Sequence, residues 1–261
     1  QYCGHQERKK DVCDKCLSKD LELMGSGTQK AEEQLKMHFP TAKIYRMDTD
    51  TTSKKHAHEK LLHQFQNDGD ILLGTQMIAK GLDFPRVTLV GVLQADSNLY
   101  VPDFRAPEKT FQLMMQVSGR SGRRDTLGEV YIQAFNPDHY AIKYACNNDY
   151  LGFYKHEMML RRIARYEPFF YLVQLDLTGI SINQVMYFGM QMVKELRRGL
   201  SREAIILGPS SDIKKIKNRY TTSIMIKYKE EPDLNRILYD LMNKNSDSDV
   251  LIRIDRFPGV G

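Results

Sequence analysis

Gln-Val-Ser-Gly-Arg-Ser-Gly-Arg, residues 116–123, places two arginines three positions apart, each directly after a glycine. Because glycine has no side chain, the backbone beside Arg120 and Arg123 can lie close to a ligand. Each guanidinium offers a planar fork of donors that fits phosphate oxygens. The stretch therefore predicts a polyphosphate site, and the alternative is a basic surface turn paired with acidic side chains. Arg124 lies outside the pattern and is predicted to be a solvated charge.

A second stretch lies about forty residues upstream and supports the same interpretation. Gly-Thr-Gln-Met-Ile-Ala-Lys-Gly-Leu-Asp-Phe-Pro, residues 74–85, follows the apolar run 71–73, which is typical of a buried strand. Together with residues 116–123 it resembles motifs V and VI of superfamily 2 helicases. The resemblance implies the second of two RecA-like lobes.

Three further blocks narrow the resemblance. Residues 25–30, 47–52 and 103–106 are Gly-Ser-Gly-Thr-Gln-Lys, Met-Asp-Thr-Asp-Thr-Thr and Asp-Phe-Arg-Ala. With the cysteines near the start, they resemble the PriA family of bacterial replication-restart helicases, over nearly the whole chain. The resemblance implies an ATP-dependent 3′-to-5′ DNA helicase that recognises stalled or abandoned forks and restarts replication by primosome assembly. It also implies that forked and single-stranded DNA, single-stranded DNA-binding protein and helicase-loading proteins are partners. The expected form is a monomer in the cytoplasm, associated with the nucleoid.

The resemblance assigns roles to individual residues around the nucleotide. Arg120 and Arg123 would reach across to ATP held on the other lobe. Gln116 would contact the nucleotide or a carboxylate of that lobe. Gly81 and Asp83 match the part of motif V that approaches the nucleotide.

A second group of residues is predicted to hold the DNA backbone. Free amides at a strand end and a glycine-rich turn that opens a helix both suit phosphates. The residues at such positions are Gly25, Ser26, Gly27, Thr28, Thr75, Gln76 and Lys80. For Lys80 simple exposure is an equal alternative, and for the glycine-rich turn the alternative is a tight strand-to-helix connection.

The 261 residues contain no Gly-x-x-x-x-Gly-Lys-Ser/Thr phosphate loop. A second lobe needs its partner lobe to hold ATP with Mg²⁺. We therefore expect the chain to be the C-terminal part of a longer protein and to be inactive as an ATPase by itself. Two alternatives are a non-catalytic DNA-binding or primosome-assembly module and a RecG-like superfamily 2 translocase.

Three of the four cysteines fall within the first 16 residues. Cys13 and Cys16 have the spacing that zinc favours, because two thiolates of one turn can meet the same ion. A redox or free-thiol pair is the alternative. By the family resemblance, Cys3 belongs to one zinc site and Cys13 with Cys16 to another, whose remaining ligands would precede this chain. Cys146 is predicted to be a packed helix thiol.

The composition is that of an ordinary globular protein, with 41% apolar residues, 27% charged residues and a formal net charge of +5. No apolar run is long enough to span a bilayer. The opening residues are polar and do not have the pattern of a signal peptide. The mild positive charge permits a polyanionic partner without requiring one.

Strands alternate with helices over much of the chain, which predicts βαβ units and a mostly parallel sheet of the α/β class. Thr28 is predicted to be the N-cap of the first helix, with Ala31, Leu35 and Phe39 on its apolar face. The predicted strands are residues 21–24, 43–47, 70–73, 87–93 and 128–134. The predicted domains are a partial cysteine-rich zinc-binding segment (1–20), a RecA-like helicase lobe 2 (21–138), a helical connector (139–168) and a C-terminal domain (169–261).

The C-terminal domain has the order βαββαβ, which predicts a small ferredoxin-like α+β fold. Its predicted strands are residues 170–177, 204–207, 221–228 and 250–254, and its helices are 183–198 and the segment after Asp233. A basic cluster precedes the third strand: Lys214, Lys215, Lys217 and Arg219, with Tyr220 nearby. The cluster predicts either a DNA-facing edge or a solvated basic loop.

One irregular segment, residues 96–105, carries two aromatic residues. Tyr100 and Phe104 would either stack on DNA bases or pack beneath their own loop. The sequence gives no preference between the two.

Overall fold

The computed structural model describes residues 12, 27–48, 57–75, 78, 84, 86–118, 128–216, 218–244, 248–256 and 258. The chain divides into two compact units, and the division falls between Phe153 and Tyr154. This division lies inside the segment predicted as a helical connector.

Parallel strand pairing organises the described part of the first unit. Strand β1 (Ile44–Met47) pairs with β2 (Ile71–Gly74), and β3 (Leu89–Val92) pairs with β4 (Glu129–Ile132). The intervening helices are α1 (Thr28–His38), α2 (Ala57–Asp68), the 3₁₀ helix Ser97–Tyr100 and α3 (Ala106–Ser118). The predicted βαβ organisation is thus confirmed, and the strand predicted at residues 21–24 lies outside the described residues.

The core of this unit forms where α3 meets the helices that follow β4. These helices are α4 (Tyr140–Cys146) and α5 (Tyr150–Ile163), which confirms a largely helical segment after residue 139. The ring of Phe111 stacks on that of Phe153 with the centroids 4.1 Å apart. Met114 lies beside them with 1% of its surface exposed. This apolar face fixes α3 against the helices that follow β4.

Three local predictions were wrong. Gly27, not Thr28, is the N-cap of α1, because Thr28 is already helical and its side chain makes a bond elsewhere. Phe39 follows the last turn of α1 and is 53% exposed, since it has left the helical repeat that would bury it. Cys146 is an exposed free thiol, because it ends α4 on the side away from the core.

The second unit has a four-stranded antiparallel sheet with the order β6-β8-β5-β9 and a short additional strand. Its elements are β5 (Tyr171–Gly179), α6 (Ile182–Gly199), β6 (Ile205–Leu207), β7 (Lys214–Ile216), β8 (Arg219–Tyr228), α7 (Leu234–Lys244) and β9 (Leu251–Asp255). Apart from β7, this is the predicted βαββαβ order. The first and third strands of βαββαβ, which are β5 and β8, are neighbours at the centre of the sheet, as the split βαβ arrangement requires.

Helices α6 and α7 cover one face of the sheet of the second unit. Alternate residues of the central strand, Val173, Leu175 and Leu177, are buried with 1% exposure or less. They pack against apolar positions of α6 and α7, among them Leu196 and Leu238. Apolar residues recur at every second position in β5 and at helical spacing in α6 and α7, and both sets lie in the same core.

The strand β7 was not predicted. It pairs with the first residues of β8, so part of the basic cluster lies in a hairpin and not in a loop. Strand β5 pairs with one edge of β8 along the length of β5. Strands β6 and β7 therefore both pair with the opposite edge of β8. The sequence showed charge here, but the backbone pairing of Lys214 and Lys215 depends on the available edge of β8.

Candidate functional site

The first candidate surface lies at the carboxyl ends of β1 and β2. The register pairs Met47 with Gly74, so the residues after them, Asp48 and Thr75, leave the sheet at the same edge. Such edges are where ligands bind in open α/β sheets. Thr75 is exposed, and its carbonyl accepts a hydrogen bond from the backbone N–H of Ile78 at 3.1 Å.

Gly74 is needed at the end of β2. A Cβ at this position would lie 2.5 Å from the carbonyl oxygen of Met47 and 2.9 Å from Cγ2 of Ile78. The absence of a side chain therefore lets the chain turn tightly after the strand. As a result, Thr75 is held close to the edge of the sheet.

The start of α1 is tied to the same edge by its first helical residue. The hydroxyl of Thr28 donates a hydrogen bond to Oδ2 of Asp48 at 2.6 Å. Nε of Arg46 lies 3.1 Å from the same carboxylate oxygen, and its Nη1 donates to Glu32 at 3.0 Å. Because Asp48 is only 6% exposed, this network fixes the N-terminus of α1 over the end of β1.

Because of this network, backbone N–H groups and not the Thr28 side chain are available at the start of α1 to bind an anion. The hydroxyl of Thr28 is already engaged, whereas the first amides of an α-helix have no partner within the helix. Among the described residues, a Cβ on Gly27 would meet nothing within 4 Å. No described residue therefore requires glycine at this position, and none blocks the side of the backbone where a phosphate could approach.

Helix α3 carries the described residue of the predicted nucleotide site. Gln116 is exposed, while the neighbouring Val117 is buried. The helix begins beside Asp103, whose carboxylate accepts from the backbone N–H of Arg105 at 2.9 Å and from Nζ of Lys109 at 2.8 Å. Burial tends to raise the pKa of Asp103, but these donors outweigh it and lower the pKa below its ordinary value. An ionised Asp103 thus anchors the start of α3.

A third buried carboxylate lies just beyond β3. Asp96 is fully buried, and its Oδ2 accepts from the backbone N–H of Asn136 at 2.8 Å and from the hydroxyl of Tyr100 at 3.3 Å. Burial tends to raise the pKa of Asp96, but hydrogen bonds from Asn136, Phe135 and Tyr100 bring it below its ordinary value. The carboxylate therefore joins the loop after β3 to the end of β4.

The basic cluster of the second unit is exposed at Lys214, Lys215 and Arg219. Nζ of Lys215 lies 5.3 Å from the ring centroid of Tyr220, so this lysine and tyrosine contact each other. The remaining predicted member, Lys217, lies outside the described residues. The DNA-facing edge stays a prediction, whereas the alternative of a solvated basic loop is wrong for Lys214 and Lys215, which lie in β7.

Most of the predicted site residues lie outside the described residues. They are Arg120, Arg123, Gly81, Asp83, Gly25, Ser26, Gln76, Lys80, Cys3, Cys13 and Cys16. Of the predicted set, Gly27, Thr28, Thr75 and Gln116 are described. The first three belong to the β1–β2 edge, and Gln116 lies near the end of α3.

Sequence reasoning missed three aspartates that position these elements: Asp48, Asp96 and Asp103. Two of them, Asp48 and Asp96, follow predicted strands closely, where a polar residue at the carboxyl end of a parallel strand is a useful signal. Asp103 lies three residues before the helix that begins at Ala106, and its side chain accepts from the backbone N–H two residues on, as aspartates in turns often do. Each carboxylate orders a segment that carries a predicted site residue or an exposed ring.

Two family models match separate parts of the chain. Residues 15–125 match the helicase conserved C-terminal domain, and residues 162–258 match the primosomal protein N C-terminal domain. The first match contains the β1–β2 edge and α3, and the second contains the antiparallel sheet. The fold is thus a RecA-like helicase lobe 2 followed by the C-terminal domain of primosomal protein N.

Curated relatives agree with these matches. Replication restart protein PriA of Bacillus subtilis (strain 168) is 46% identical over 263 aligned positions, covering 98% of this chain and 33% of the relative. The PriA of Chlamydia pneumoniae is 48% identical over 169 positions, covering 64% and 23%. That of Borreliella burgdorferi is 33% identical over 260 positions, covering 98% and 39%. The chain therefore spans about a third of the length of these relatives.

The described residues contain neither a membrane-spanning helix nor a metal-binding cluster. None of the helices there combines the length and apolar character that crossing a bilayer demands. No group of three or more His, Cys, Asp or Glu side chains in the described ranges is arranged to hold a metal ion.

Proposed function

Because this chain is homologous to replication restart protein PriA along nearly its whole length, we propose that it is part of an ATP-dependent 3′-to-5′ DNA helicase. In the whole protein, this part would move along DNA at stalled or abandoned forks and support primosome assembly. The names of the two matched domains and of the relatives support this proposal. Forked and single-stranded DNA are the proposed substrates.

One observation of the structure carries the DNA-binding part of the proposal. The N-terminus of α1 and the turn after β2 meet at one edge of a parallel strand pair, held there by the Thr28–Asp48 hydrogen bond. Backbone amides at such an edge bind phosphates without reading sequence. A translocating enzyme needs contacts of this kind, because it must release and rebind the strand at every step.

The nucleotide part of the proposal places Gln116, Arg120 and Arg123 against ATP bound with Mg²⁺ by another lobe. An arginine that reaches the transferred phosphoryl group stabilises the charge that develops on its oxygens. Gly81 and Asp83 would approach the same nucleotide. The anchored start of α3 and its buried face support this role, since they hold the helix that leads directly to both arginines.

The cysteines and partners are carried by family resemblance. We propose that Cys3 and the pair Cys13 and Cys16 contribute thiolates to two zinc sites, with ligands from elsewhere in the whole protein. Single-stranded DNA-binding protein and helicase-loading proteins are the proposed partners. A cytoplasmic, nucleoid-associated monomer is the proposed state.

The proposal is tested by comparing this chain with a longer version that includes the phosphate-loop lobe. The chain alone should bind single-stranded and forked DNA and show no DNA-stimulated ATP hydrolysis. The longer version should hydrolyse ATP when DNA is added. Hydrolysis by the isolated chain would contradict the shared nucleotide site. DNA binding without hydrolysis in both versions would favour the non-catalytic assembly module.

A further inference from the structure

An exposed aromatic ring is attached to the buried carboxylate at the ends of β3 and β4. Tyr100 is 60% exposed, yet its hydroxyl donates to Oδ2 of the fully buried Asp96. The same oxygen accepts from the backbone N–H of Asn136. The polar end of the tyrosine is therefore fixed, while much of its surface remains open.

The backbone around this pair is ordered by several hydrogen bonds. Gln94 adopts a left-handed φ of +50°, and the next residue, Ala95, donates its N–H to the carbonyl of Gln133 at 2.8 Å. The carbonyl of Asp96 then accepts from the N–H of Leu99 at 2.9 Å, within the 3₁₀ turn that ends at Tyr100. The ring is thus presented by a tied loop and loses little conformational freedom when it meets a ligand.

Two other aromatic residues of the first unit, Phe104 and Tyr131, differ from Tyr100. Phe104 is only partly exposed, and the guanidinium of Arg105 lies 4.9 Å from its ring centroid. Tyr131 is 64% exposed and bonds to Glu129, but it lies within β4 and not beyond a strand end. Among these three, only Tyr100 combines an exposed ring with a buried anchor at the carboxyl edge of parallel strands.

We propose that Tyr100 is a stacking platform for an unpaired base of single-stranded DNA and that Asp96 is its positioning residue. The inference rests on the proposed function, which supplies the strand. Ligands of α/β sheets lie beyond the carboxyl ends of the strands, which is where this ring is exposed. An aromatic face accepts any base, so it suits a protein that moves along DNA without sequence preference.

The main test uses this chain with a single-stranded oligonucleotide that contains 2-aminopurine, whose fluorescence reports stacking. Tyr100→Leu should weaken binding by about 5- to 150-fold and abolish the stacking signal. The salt dependence of binding should keep its slope, because no phosphate contact is lost. Tyr100→Phe keeps the ring but loses its bond to Asp96, so it should give a weaker stacking signal that Tyr100→Leu lacks. The matched control Tyr131→Leu should behave as the unmodified chain.

The role of Asp96 is tested by Asp96→Asn and by the double variant with Tyr100→Leu. If Asp96 acts only by positioning Tyr100, Asp96→Asn should reduce the stacking signal. The double variant should then bind no more weakly than Tyr100→Leu alone. If Asp96 acted only on the overall fold, the two losses would add. Circular dichroism of each variant separates unfolding from loss of the platform.

A second measurement needs no substitution. Ultraviolet crosslinking of the unmodified chain to an oligonucleotide with 5-iodouracil should give a peptide attached at Tyr100, identified by mass spectrometry. Binding without this crosslink, together with unchanged affinity of Tyr100→Leu, would overturn the inference and leave the proposed function intact. Failure of the unmodified chain to bind DNA at low salt would refute both, and a protein partner would then be the better occupant.

Discussion

The hydroxyl of Thr28 donates to the carboxylate of Asp48 across 2.6 Å, joining the first residue of α1 to the residue that follows β1. This bond links residues that are 20 positions apart and fixes a helix start over a strand end. It also uses the side chain that the sequence predicts as a helix cap. If a phosphate binds at this turn, as we propose, it would therefore be held by backbone N–H groups.

Removing this hydroxyl should destabilise the first unit. Thr28→Val has nearly the same shape but leaves the buried carboxylate of Asp48 with one donor fewer. A hydrogen bond to a charged group contributes about 1.5–3 kcal/mol, so we expect a loss of this size in the free energy of unfolding. Urea titration measures the loss. Thr28→Ser keeps the hydroxyl, and an equal loss in that variant would contradict the assignment.

The glycine before α1 should matter more for DNA than for folding. A Cβ at Gly27 would meet no described atom within 4 Å, but alanine is a poorer N-cap than glycine, so Gly27→Ala should lower the unfolding free energy by about 1 kcal/mol or less. The added methyl group would nevertheless stand where a phosphate approaches, so DNA affinity should fall several-fold. Fluorescence anisotropy measures this effect. The control is Gly91→Ala in β3, where a Cβ also has open space, and which should affect neither property.

The arginine assignment predicts a selective loss of catalysis. In the longer version that contains the phosphate-loop lobe, Arg123→Ala should lower DNA-stimulated ATP hydrolysis by about 10³–10⁵-fold, because transition-state charge loses its partner. DNA affinity should fall much less. Steady-state hydrolysis and anisotropy give the two values. Arg124→Ala removes a neighbouring charge outside the pattern and should keep the hydrolysis rate; an equal loss there would refute the assignment.

The anchor of α3 should make stability depend on acid pH. The folded pKa of Asp103 lies below its ordinary value of 3.8, so the unfolded chain binds the proton more strongly. The stabilising contribution is therefore complete above this value and is lost as the pH falls through the folded pKa. In the variant Asp103→Asn, the free energy of unfolding should therefore fall less steeply as the pH is lowered. Unfolding measured between about pH 2 and 5 checks this.

Asp138 provides the comparison for this pH effect. Its pKa is also lowered, by a hydrogen bond and the charge of Lys143, but its side chain is 84% exposed. Solvent screens such a pair, so Asp138→Asn should change this pH dependence less than Asp103→Asn. The reverse order would show that the shielded hydrogen bonds of Asp103 from Lys109 and Arg105 are not the cause.

The antiparallel sheet of the second unit could be predicted because local signals agreed with one another. Alternating apolar residues in β5 and helically spaced apolar residues in α6 each predict a buried face, and both faces enter one core. The short strand β7 could not be found in this way. Lys214 and Lys215 have no apolar alternation, and they form a strand because β8 offers an unpaired edge.

The candidate site likewise has features that the sequence predicts and features that depend on the tertiary structure. The sequence by itself determined the alternation of strands and helices that predicts parallel pairing. It also supplied the residues on which the proposed chemistry depends, two arginines spaced as for phosphate and glycine-rich turns after predicted strands. Only the tertiary structure decided which distant residues meet, such as Thr28 with Asp48 and Tyr100 with Asp96. The reason is physical, since spacing along the chain sets periodicity and local turns, whereas the partners of a buried carboxylate depend on which strand ends the sheet brings together.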